Sequence, residues 1–143
     1  MKFAIITHVN HKFHDESILA YAPYVKEMNI WGKYVDQIIL TAPRLKHNGK
    51  SPIDLEYTHQ RITYLKLYSF NFLSFLSSLR ALFVIPVNLV IIFEAMRRAD
   101  HIHLRCPGNI GLLGCFVQIL FPSKPKTAKY AGNWDPDAIQ PLS

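Results

Sequence analysis

The run Ala99-Asp100-His101-Ile102-His103-Leu104-Arg105-Cys106-Pro107-Gly108-Asn109-Ile110-Gly111 decides how the rest of the chain is read. Polar and apolar residues alternate up to Cys106, a Pro-Gly pair interrupts them, and an apolar helical pattern then continues to Phe121. That is a strand, a tight turn and a helix, the unit from which doubly wound sheets are built. Pro107 holds Cys106 extended, Gly108 permits a sharp corner, and Asn109 is placed to cap the helix. In open α/β sheets, ligands sit in the crevice beyond the carboxyl ends of the strands. The polar cluster at this strand end is where function is sought.

Working outward, Phe3 to Val9 is apolar and β-branched, as an interior parallel strand should be. Asn10 to Glu16 reads as a loop, with Ser17 or Asp15 capping a helix from about Ile18 to Lys33. Gln37 to Ala42 is a second strand stopped by Pro43, and Arg44 to His59 is a polar excursion without periodicity. Arg61 to Tyr68 is a third strand. Asn71 to Val84 is aromatic-rich and helical at its centre, and Pro86 is expected to open a separate helix running to Arg98. After the opening unit, Thr127 to Ala131 forms a fifth strand, closed by Gly132 to Pro136. The order predicts an α/β fold: a Rossmann-like, mostly parallel sheet with helices on both faces.

The chain has 143 residues, half of them hydrophobic and 18% charged, enough for one domain with an extensive core and too apolar for disorder. A net charge of +6 favours anionic partners such as sugar nucleotides, phosphorylated lipids or membrane surfaces. Nucleic acid has only that charge in its favour and is not expected as a partner. Cys106 and Cys115 are too few for a disulfide framework and read as small core residues, which suits a reducing, cytoplasmic compartment. No secretory signal is visible, because His8, His11 and Lys12 cut short the first apolar run. Ala81 to Phe93, interrupted by Pro86 and Asn88, reads as too short to span a bilayer.

Several groups of residues could carry chemistry. His8, His11, His14, Asp15 and Glu16 follow the first strand and form either the polar rim of an acceptor pocket or an inert solvated loop; no metal is expected there. Alternation puts His101, His103 and Arg105 on one face, either as hydrogen-bonded histidines beneath a helix or, for His103 and Arg105, as ligand contacts. Gly108, Gly111 and Gly114 recur every three residues rather than as a dinucleotide fingerprint, so Gly111 and Gly114 serve close helix–sheet packing. Asn133, Trp134 and Asp135 at the end of the fifth strand offer hydrogen bonds and a ring face, as a carbohydrate site uses. His8, Arg105 and Asn133 would then converge at three strand ends. Phe70, Phe72, Phe75 and Phe83 beside Arg80 fit either core packing or a membrane interface.

Three segments together resemble the N-terminal domain of a GT-B fold glycosyltransferase of the group 1 (family 4) type, particularly bacterial polysaccharide-building members. They are Tyr21-Ala-Pro-Tyr-Val-Lys-Glu-Met-Asn-Ile-Trp31, Ala99 to Gly111, and Lys129-Tyr-Ala-Gly-Asn-Trp-Asp-Pro136. The resemblance covers nearly the whole chain. It departs from the family where Asn133, Trp134 and Asp135 stand in the region of a His-Asp pair, and where the glycine-rich loop after the first strand is absent.

The resemblance implies that residues 1–143 are the acceptor-side half of a two-domain enzyme, whose C-terminal donor-binding domain is not in this chain. It implies transfer of a sugar from a nucleotide-sugar co-substrate to a saccharide or lipid-linked acceptor, retaining and metal-independent, with no cofactor. The chain alone would be inactive. His11, His14, Arg105, Gly108, Asn109, Asn133 and Trp134 would bind substrate, with Asn133 and Asp135 as catalytic candidates. The expected location is cytoplasmic, with peripheral contact at the inner face of the membrane, and an exposed inter-domain face could pair with a second copy. The rival class is a non-catalytic α/β module that binds a protein partner or an anionic membrane surface. A flavodoxin-like carrier lacks its phosphate loop here.

Overall fold

The computed structural model describes residues 1–45 and 51–130. In chain order it contains β1 (Lys2–Ile6), β2 (Lys12–His14), β3 (Ser17–Tyr21), α1 (Ala22–Gly32), β4 (Gln37–Pro43), β5 (Asp54–Glu56), β6 (Ile62–Leu67), α2 (Phe75–Arg98), β7 (His101–Cys106), α3 (Asn109–Val117), a 3-10 turn (Gln118–Leu120) and β8 (Lys126–Tyr130). Five strands form one parallel sheet in the order β6-β4-β1-β7-β8. This is the Rossmann-like α/β arrangement that the alternation of strands and helices predicts.

Period two sorts the core into two layers. On one side Ala4, Ile6, Ile39, Ile102 and Leu104 pack under α2 and α3, against Ile92, Met96 and Ile110. On the other, Phe3, Ile5, Ile38 and Leu40 pack against Tyr24, Val25 and Met28 of α1. Lys124 caps the end of α2, its ammonium donating to the carbonyls of Met96, Arg97 and Ala99 at 2.6–2.8 Å where the helix leaves them open. Cys106 and Cys115 are partly buried, with sulfurs 4.0 Å apart.

The structure corrects four local expectations. Residues 10–21 are not a loop and a helix start: β2 and β3 form a hairpin, and β5 from the polar excursion pairs with β3 to complete a three-stranded antiparallel sheet. Asp15 supplies the left-handed turn residue (φ 51°), a conformation that Asp tolerates better than most side chains. Pro23 then fixes where α1 can begin, since it is acceptable only in the first turn; the cap position is Tyr21, with no side-chain cap from Ser17 or Asp15.

At Pro86 the chain does not start a new helix. α2 runs unbroken over 24 residues from a capping box of Ser74 and Ser77. Pro86 and Leu82, the residue whose carbonyl a proline cannot bond, both lie on the exposed side. The apolar helix is therefore longer than the sequence reading allowed. Lastly, the cap of α3 is Gly108 (φ 141°), and Asn109 is the first helical residue.

Candidate functional site

The chain runs outward from β1 to β4 and β6, then returns across α2 to β7 on β1's other side. The sheet order therefore reverses between β1 and β7, and a crevice opens beyond their carboxyl ends. It encloses about 230 Å³ and is lined by His8, Pro43, Ser69, Phe70, Gly108, Asn109 and Ile110.

Local sequence explains each wall. β1 ends at Ile6, so His8 emerges into the crevice instead of continuing the strand. The Cys106–Pro107 bond is cis, and Gly108 adopts a backbone conformation that side chains rarely enter. A Cβ at Gly108 would lie 3.2 Å from His8 Nδ1, so the missing side chain is what lets His8 lie against the turn. Asn109 donates from Nδ2 to the Phe70 carbonyl at 3.2 Å, joining the β7–α3 turn to the segment after β6.

The close approach of α3 to the sheet is carried by its glycines, as their spacing predicts. A Cβ on Gly111 would meet the Arg105 carbonyl oxygen at 2.6 Å, and one on Gly114 would meet Leu104 Cδ2 at 2.8 Å.

Behind the crevice, under α1, lies a charged and aromatic cluster. Arg105 Nη1 is 3.4 Å from Glu27 Oε2, and Lys129 Nζ is 3.0 Å from Glu27 Oε1, so one carboxylate serves two cations. The Arg105 guanidinium also lies over the Tyr24 ring, 4.8 Å from its centre. Its Nε has no partner among the described residues. The His8 ring is kept below the ordinary imidazole pKa mainly by burial and then by the Arg105 charge, against a hydrogen bond to the Arg105 backbone. It is neutral at physiological pH, with one ring position engaged by the Arg105 backbone.

His101 and His103 sit beneath α1 as hydrogen-bonded histidines. Both rings approach Thr127 Oγ1, at 3.2 and 2.8 Å, and both pack on Phe3 and Trp31. Burial, the larger influence, takes the His103 pKa down to about 4.

Of the residues expected to bind substrate, Gly108 and Asn109 line the crevice, and Arg105 stands directly behind His8. His11 is not on a rim. It is fully buried, with Nδ1 2.8 Å from the Val9 carbonyl and Nε2 2.9 Å from the Tyr57 hydroxyl, and burial lowers its pKa to about 4. The β2–β3 hairpin closes over what the sequence presented as open loop. His14 is exposed at that hairpin's turn, 3.7 Å from Asp15, and lines no part of the crevice. Asn133, Trp134 and Asp135 lie outside the described residues.

Ser69 and Pro43 carry no sequence expectation as site residues, and Phe70, expected in core packing or a membrane interface, lines the crevice instead. Each follows or ends a strand on the same sheet edge, and the strand-end rule could have found them. Glu27 carried no local signal, because its partner Arg105 is distant in sequence. Among the described residues, no three His, Cys, Asp or Glu side chains gather as a metal site would require. No family model, no curated protein and no solved structure matches the chain.

Proposed function

We propose that this chain is the acceptor-side half of a glycosyltransferase, seating a hydroxyl-rich saccharide or lipid-linked acceptor in the switch-point crevice. A separate donor-binding domain would supply the nucleotide-sugar co-substrate. The reading rests on one observation: where the strand order reverses, neutral His8, packed against Gly108, lines with Asn109 a crevice of about 230 Å³. Ligand pockets more often enclose about 300–1,000 Å³, so this one suits a single sugar ring rather than a whole nucleotide-sugar. His8 and Asn109 offer the donor and acceptor atoms that hydroxyls need, and Phe70 offers an apolar ring face.

The test is a titration of the isotope-labelled chain with mono- and disaccharides, followed by amide NMR. Acceptor sugars should shift His8, Gly108, Asn109 and Ile110, and His8→Ala should remove the response. Shifts confined to another surface, or no shift with any sugar, would overturn the site. Release of nucleoside diphosphate from a nucleotide-sugar by the chain alone would overturn its role as half an enzyme.

A further inference from the structure

α2 is predominantly apolar, yet among the described residues the fold buries one stripe of it: Ala81, Asn88, Ile92, Ala95 and Met96. The other side presents Leu76, Leu79, Leu82, Phe83, Val87 and Val90, each 47–77% exposed. The apolar surface continues onto Leu112, Phe116, Ile119 and Leu120, each 56–65% exposed, across an open groove of about 470 Å³ between the two helices. Apolar helix surface demands burial, and contiguous apolar patches of this extent mark docking surfaces.

Charge says what docks. Between Tyr57 and Tyr130 the only acidic residues are Glu94 and Asp100, against nine Lys and Arg. Both acids are already engaged. Glu94 is held by Arg97 and Arg98 at 2.8 and 2.6 Å, and Asp100 accepts from the Lys2 backbone N–H at 2.6 Å. Arg80 stands exposed within the apolar face and forms no ion pair with a described residue. α2 carries Arg80, Arg97 and Arg98 against one carboxylate, Glu94, and α3 and the turn after it carry no charge, so this apolar face with a cationic excess complements a bilayer bearing anionic headgroups. A second copy docked through the same face would offer Arg80 no unengaged carboxylate from that face.

We infer that the outer face of α2 and α3 rests on an anionic phospholipid surface, with α2 parallel to the membrane plane. α2 has the length and composition to cross a bilayer, 24 residues with a mean hydropathy of 2.1. Crossing would strip it from the sheet. It would also break the paired bonds by which Asn88 accepts from the Tyr68 N–H at 3.0 Å and donates to the Tyr68 carbonyl at 2.8 Å. This orientation turns one layer of the fold towards lipid and stands whether or not the crevice takes a sugar.

The whole chain is floated with phosphatidylcholine vesicles and with mixed phosphatidylcholine–phosphatidylglycerol vesicles at low and high salt. Binding is expected on the mixed vesicles, weakened by salt, and reduced about tenfold by Arg80→Glu. Leu79→Glu with Phe83→Glu, at exposed positions that leave the fold intact by circular dichroism, should abolish it. Tryptophan emission from Phe83→Trp should move to the blue on the same vesicles. Failure to bind anionic vesicles at low salt would overturn the inference, as would binding indifferent to the double substitution. So would protease protection showing that α2 spans, or a stable dimer that Phe83→Glu dissociates.

Discussion

Replacing Gly111 by Ala tests how tightly α3 is held against the strand that carries the site. In an exposed helix the change would stabilise by up to about 1 kcal/mol, because alanine has the lower conformational entropy to lose. Here the added methyl falls 2.6 Å from the Arg105 carbonyl oxygen and 3.2 Å from Cys106 Sγ. The first of these is backbone, so no rotamer relieves it. α3 must withdraw from β7 by roughly 1 Å to restore ordinary contact.

Overpacking of this kind costs about 1–3 kcal/mol, so Gly111→Ala should lose about 2 kcal/mol net of any propensity gain. For a chain of this size that lowers Tm by about 7 °C. Gly114→Ala is the internal control. Its nearest obstacle, at 2.8 Å, is Leu104 Cδ2, the end of a side chain that can turn aside, so it should stay within about 1 kcal/mol of the parent. Urea denaturation of both variants decides the matter. Gly111→Ala as stable as the parent, or Gly114→Ala the worse of the two, would refute the close-approach argument.

Asn88→Ala leaves the Tyr68 N–H and carbonyl without their partners inside the fold, and urea melts should show a loss of about 2 kcal/mol. His11 and His103 have pKa values of about 4 in the fold and about 6.5 unfolded. The unfolded chain therefore takes up the protons first: their stability is complete above pH 6.5 and drains away as pH falls to 4, by on the order of 3 kcal/mol for each. Glu94, held down to about 2 by Arg97 and Arg98, adds its own loss only at the low end of that window, as pH falls through its unfolded value near 4.5. A flat stability profile from pH 7 to 4 would contradict the burial of both rings. Glu27→Gln should cost about 1–3 kcal/mol by unpairing the largely buried Arg105, whereas Lys129→Met, at a half-exposed position, should cost less than about 1 kcal/mol. Equal effects in thermal melts would mean that Glu27 is not organised around Arg105.

The sequence by itself determined the parallel sheet. Its strands are local apolar runs, bounded by Pro43, by the Pro107–Gly108 break and by Pro122, and alternation within β7 already placed His101, His103 and Arg105 on one face. The spacing of Gly111 and Gly114 was equally local, since two small residues three apart lie near one side of a helix whatever surrounds them.

The tertiary structure alone decided three things. It paired β3 with β5 across the whole of α1 and β4, a bond between segments too short to announce themselves. It buried His11 beneath that added sheet, turning an apparent ligand residue into a core one. Among the described residues, it left one side of α2 uncovered. Composition records how apolar a helix is, but only the arrangement of its neighbours determines which face they cover, and here the described neighbours cover the stripe from Ala81 to Met96 and leave Leu82, Phe83 and Val90 exposed.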